Sequence, residues 1–185
     1  NTGSVNLTQI AKALSLSKAT CTRAINDLSA SGLISQTAEG TNKWITTAYT
    51  KSELLEKAYG RLKTPVDRIL YVKGTAQIEH PIASGIRALA RQSMIGVNDQ
   101  DGAIAIFKKE AAKIPAEDIC TKQYFEDFGG AVIEVWSYDP IILERDGCVD
   151  DISLLLSMDN DPNERVQTCL DEIRQKHGLP IKEEE

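Results

Sequence analysis

In one short stretch the chain sets out Ser17, Lys18, Thr20, Thr22, Arg23 and Asn26. Lysine and arginine cations pair with phosphate. Arginine and asparagine also offer paired donors to base edges, and threonine hydroxyls serve either target. That chemistry needs all these groups on one exposed face. Between them, Cys21, Ala24, Ile25 and Leu28 fall at i, i+3, i+4 and i+7, which predicts a helix with one buried stripe. Lys18, Ala19, Thr20, Thr22, Arg23 and Asn26 are then left on its other side. Ser17 is a good N-cap, and the free amides behind it suit a phosphate. Gly32 stands where a left-handed residue ends such a helix.

A helix that enters a groove must be held by other elements. A shorter helix is predicted from about Thr8 to Leu14, with Ile10, Ala11 and Leu14 on one face and a tight turn at Ser15 and Leu16. Beyond Gly32, two β-prone runs flank the turn-forming cluster Glu39-Gly40-Thr41-Asn42. Lys43, with Asn42 and Thr41, is expected at the hairpin tip within reach of a flanking backbone, and Trp44 is expected to pack inward. Helix, turn, helix and two-stranded wing is the order of a winged helix. A B-DNA major groove about 12 Å wide accepts one such helix.

On Leu7, Thr8, Ile10, Ala11, Leu14, Ser17, Thr20, Arg23, Ile25, Leu28, Gly32, Leu33 and Ile34, the stretch resembles the winged helix-turn-helix of MarR-type bacterial transcriptional regulators. The resemblance covers residues 7–47 and implies double-stranded DNA as partner. It departs from the family beyond that stretch. MarR proteins are mostly helical dimers, whereas this chain continues with strand-like segments.

Charge follows the same division. Residues 1–50 carry Lys12, Lys18, Arg23 and Lys43 against Asp27 and Glu39, a net +2, so the remainder of a chain of net charge −6 stands at −8. The basic surplus lies where phosphate would be, and the acidic part would be repelled by it. A charge of +2 is small, so two or more copies are expected on one DNA.

Three domain-level segments are expected: a winged helix over 1–50, a connector helix over 51–65 opened by Ser52 and stopped at Thr64-Pro65, and an effector or dimerisation domain over 66–185. The last contains apolar strand-like runs at Val66–Val72, Ala103–Phe107 and Ala131–Trp136. It also contains helical patterns at about Ile82–Met94, Asp151–Met158 and Asn163–His177, so the chain is read as α+β with a mixed α/β C-terminal part.

No catalytic constellation stands out. His80 and His177 lack evident partners, and adjacent carboxylates such as Glu126-Asp127 point to different faces. Gly129-Gly130 lacks the Lys-Ser/Thr of a phosphate loop and is read as a turn. The chain is therefore read as a non-enzyme. Cys21, Cys120, Cys148 and Cys169 are too scattered for a metal site and read as reduced thiols of a cytoplasmic protein. No cofactor, metal or membrane span is expected. Tyr71, Arg87, Arg91, Trp136 and Tyr138 are candidates to line a pocket for a planar or anionic effector, although Trp136 and Tyr138 equally suit a core.

The reading is a homodimeric, sequence-specific transcriptional regulator with a C-terminal sensory or oligomerisation domain. The alternative is an antitoxin whose winged helix binds DNA and whose acidic second half binds a toxin.

Overall fold

The computed structural model describes residues 4–39, 42–74, 77–96 and 102–181, and these form an α+β protein with eight α-helices and two sheets. The chain divides into two units, residues 1–62 with 177–180, and residues 63–176 with 181–185.

In the first unit β1 (Val5–Asn6) leads directly into α1 (Leu7–Ala13). Asn6 caps α1 reciprocally with Gln9. Its side chain accepts from the Gln9 amide at 2.9 Å, and its own amide donates to the Gln9 side chain at 2.9 Å. Ser15 then adopts φ +50° without being glycine, which lets the Leu16 amide donate to the Ala11 carbonyl at 3.0 Å. The helix α2 (Lys18–Ala30) follows at once. It ends in the same motif with the residue type that suits it. Gly32 sits at φ +72°, and the Leu33 and Gly32 amides reach the Leu28 and Ser29 carbonyls at 3.0 Å each.

Strands β2 (Ser35–Glu39) and β3 (Asn42–Thr46) pair antiparallel, and β1 joins the far edge of β3, giving the order β1-β3-β2. The core gathers Ala11, Cys21, Ile25 and Ile45, with Leu7, Ile10, Leu16 and Ile34 packed around them. The buried stripe of α2 is narrower than its spacing predicts, because Ala24 and Leu28 are exposed. The expectation for Trp44 also needs correction. Neighbours in a strand face opposite ways, and Ile45 takes the inward side, leaving Trp44 half-buried on the other. The turn residues Gly40 and Thr41 lie outside the described residues, as does the side chain of Asn42.

The helix α3 (Lys51–Tyr59) is capped by Thr50 and not by Ser52. Thr50 and Glu53 form a second capping box, with the Thr50 amide donating to Glu53 Oε2 at 2.8 Å. That amide and the Thr50 hydroxyl hold the Glu53 carboxyl below its usual range.

In the second unit the three continuous apolar runs are β4 (Val66–Val72), β6 (Ala103–Phe107) and β8 (Ala131–Trp136). With β5 (Ile82–Ala83) and β7 (Ile119–Cys120) they form a mixed five-stranded sheet ordered β5-β6-β8-β4-β7, in which only β6 and β8 run parallel. The helical pattern expected from Ile82 begins later. Ile82 and Ala83 pair with Ala105 and Ile104, and α4 spans only Gly85–Gln92.

One face of the sheet presents Leu70, Val72, Ile104, Ile106, Ile133 and Val135, and α5 (Lys108–Ala111) covers it through Ala111. The opposite face carries Glu134 and Trp136, on the side of α4, α7 (Asp151–Met158) and α8 (Glu164–Lys176), which pack on one another. The helix α6 (Lys122–Phe128) lies against β4, with the Phe125 and Tyr71 rings 5.4 Å apart. At the entry to β8, Gly130 has φ +147°, and a Cβ there would fall 2.1 Å from the Val72 carbonyl oxygen. Only glycine lets these two strands meet.

Candidate nucleic-acid interface

The α2 N-terminus is built as its sequence requires. The Ser17 hydroxyl accepts from the Thr20 amide at 3.0 Å and hydrogen-bonds the Thr20 hydroxyl at 2.8 Å. Ser17 and Thr20 thereby satisfy one another, and at 100° per residue Thr20 falls on the flank of α2 away from Lys18 and Thr22. The amides of Lys18 and Ala19 precede the first intrahelical bond, from Cys21 to Ser17 O at 3.0 Å, and point out of the helix end.

Lys18, Thr22 and Asn26 stand one turn apart along one side of α2 and face the β2–β3 hairpin. Between them runs a groove of about 310 Å³ whose lining includes these three residues, Gln36 from β2 and Lys43 from β3. Ile25 and Ile45, both buried, form its apolar base. Asn6 and Thr8 from the start of α1 complete one end.

The hydrogen bonds within the groove decide what each group can still offer. Thr22 donates its hydroxyl proton to the Lys18 carbonyl at 2.8 Å, so only its lone pairs face outward. Asn26 accepts from the Gln36 amide at 3.4 Å through Oδ1, which turns its own NH₂ toward the opening. Lys18, Arg23 and Lys43 are exposed, with no ion pair among the described residues. Arg23 lies outside the groove, on the most outward arc of α2, and Asp27 is the one carboxylate on that helix.

Of the seven residues predicted for DNA contact, the groove thus joins Lys18, Thr22, Asn26 and Lys43. Arg23 projects beside it, and Ser17 and Thr20 serve the helix cap. Sequence reasoning missed Asn6, Thr8 and Gln36. Gln36 carried a usable signal, since it lies in the first hairpin strand at the position paired with Ile45.

The five residues proposed for an effector pocket are not brought together. Trp136 and Tyr138 pack edge to face with centroids 5.4 Å apart, and the Tyr138 and Ser153 hydroxyls hydrogen-bond. Burial pushes the Tyr138 phenol up to about 12. Tyr71 pairs with Phe125, and Arg91 Nη1 lies 3.5 Å from Cys148 Sγ. The Nε of Arg87 is buried without a hydrogen-bond partner among the described residues. The four cysteines are free thiols, and no cluster of three or more His, Cys, Asp or Glu exists among the described residues. No helix among them is long and apolar enough to cross a membrane.

No family model, characterised protein or solved structure matches the chain.

Proposed function

We propose that the first unit is a winged helix of the kind MarR-type regulators carry, and that the protein is a sequence-specific DNA-binding transcriptional regulator acting as a homodimer. The observation that carries this reading is the groove in which α2 presents Lys18, Thr22 and Asn26 beside Lys43 of the hairpin. Cations at two separated points can hold two stretches of phosphate backbone, and the exposed donors between them can address base edges. Arg23, projecting furthest, is the residue best placed to read a guanine edge. The open amides at the α2 N-terminus supply a further phosphate contact.

Two copies are required on energetic grounds. A net +2 over residues 1–50 gives one copy few phosphate contacts, and symmetric pairing would set two α2 helices on half-sites about 34 Å apart. The second unit then serves oligomerisation or sensing.

Arg23→Ala tests the assignment. It should cost about 1–3 kcal/mol of operator affinity while leaving the far-UV circular dichroism unchanged. Lys43→Ala should weaken all DNA sequences alike and lower the salt slope by about 1. Unchanged affinity in both variants would remove α2 and the hairpin from the interface and turn the search to a protein partner such as a toxin.

A further inference from the structure

Glu134 stands in the middle of β8, on the face that carries Trp136, and is 7% exposed. Its Oε2 accepts two hydrogen bonds, from the Trp136 indole N–H at 3.0 Å and from the Ser84 hydroxyl. Ser84 occupies the N-cap position of α4 yet makes no side-chain cap, because its hydroxyl is turned to Glu134. Oε1 takes no hydrogen bond from the described residues. It lies beside Gly85, where φ is +55° and a Cβ would come within 3.5 Å of it.

Glu134 lies in the wall of a cleft of about 490 Å³ inside the second unit, within the range of small-molecule sites. Ile86, Ala103, Leu156 and Met158 give the cleft apolar walls, and Asp161 stands at its rim. Its lining contains two carboxylates and no lysine, arginine or histidine. The Asp161 carboxylate also accepts the Asn163 amide at 2.9 Å, which fixes its position.

We propose that this cleft binds a small organic cation, an ammonium or guanidinium head on an apolar stem, with Glu134 as counter-ion at the base and Asp161 at the rim. A cation supplies the donor that Oε1 lacks, and the apolar walls suit a short hydrocarbon stem. Two carboxylates are too few for a calcium or magnesium ion, which takes six or more oxygen ligands. Burial raises the Glu134 carboxyl above its usual range, so an uncompensated charge is costly there and a bound cation would relieve that cost. The site is independent of DNA binding and goes beyond that reading.

The test is a charge series of one shape: butylammonium, butanol and butyrate, with agmatine as the guanidinium probe, read by thermal unfolding and calorimetry on the full chain. Butylammonium or agmatine at about ten times Kd should raise Tm by about 3 °C, while butanol and butyrate leave it unchanged. Glu134→Gln should abolish the shift. Leu156→Trp, which fills the cleft and leaves the carboxyl in place, should abolish it as well and stands in if the first variant fails to fold. The proposal is overturned by no shift with either cation at tens of millimolar, by equal shifts with butanol, or by retention in both variants.

Discussion

The indole N–H of Trp136 donates to Glu134 Oε2 over 3.0 Å from two residues further along the same strand. Residues i and i+2 of a strand share a face, so the pair needs no long-range folding event beyond β8 itself. The bond anchors the largest fully buried side chain of the protein to a buried carboxyl, and Ser84 joins the two to the start of α4.

Glu134 makes stability depend on pH. Its folded-state value is raised above the usual 4.5, chiefly by burial, so the native state keeps its proton where the unfolded chain releases it. This contribution is fully present below about pH 4.5 and is lost as pH rises through the folded-state value. Urea midpoints across pH should therefore fall more steeply above pH 4.5 in the native protein than in Glu134→Gln. Parallel profiles would mean that the carboxyl is not buried as described. Glu134→Ala should cost about 2–4 kcal/mol, because it leaves a cavity and strands the Trp136 and Ser84 donors.

Tyr138 gives a spectroscopic check on the same core. Of five tyrosines, this one has a phenol pushed up to about 12 by burial. Absorbance titration at 295 nm should show one late-ionising phenol, which Tyr138→Phe removes. A curve unchanged by the substitution would place Tyr138 in solvent.

Ser15 sits at φ +50° between α1 and α2. Glycine there avoids a left-handed cost of about 1–2 kcal/mol but gains unfolded-state entropy, so Ser15→Gly should stabilise by about 0.5–1 kcal/mol in urea unfolding. Ser15→Val should destabilise instead. The reverse order would show that the turn is not left-handed at this residue.

Gly130 should tolerate no side chain. A Cβ would lie 2.1 Å from the Val72 oxygen at φ +147°, so Gly130→Ala should cost about 3 kcal/mol or more by equilibrium unfolding. A loss under 1 kcal/mol would contradict the close approach of β4 and β8.

The sheet of the second unit was legible wherever its strands are buried on both faces. Val66–Val72, Ala103–Phe107 and Ala131–Trp136 are continuous apolar runs, and each is one strand. Ile82–Ala83 was not legible as a strand, because what makes it one is pairing with β6 some twenty residues on, and its local composition reads equally as helix. The first helix pair was readable from caps and spacing. The inward turn of Ile45 over Trp44 was not, since size alone favours burying tryptophan. Lys18, Thr22, Asn26 and Lys43 could be nominated from residue type, but Gln36, Asn6 and Thr8 join them only through sheet register and the β1–α1 junction. Glu134 offered one overlooked signal, a lone charge inside an otherwise apolar strand.

The measurement that tests the central claim most directly is the salt dependence of binding to DNA from the region upstream of the protein's own gene, against scrambled DNA of equal length. If Lys18, Arg23 and Lys43 of two copies each neutralise a phosphate, log affinity should fall against log salt with a slope of about −5, and the upstream DNA should be preferred. No preference at any salt, or affinity that does not change with salt, would contradict the account.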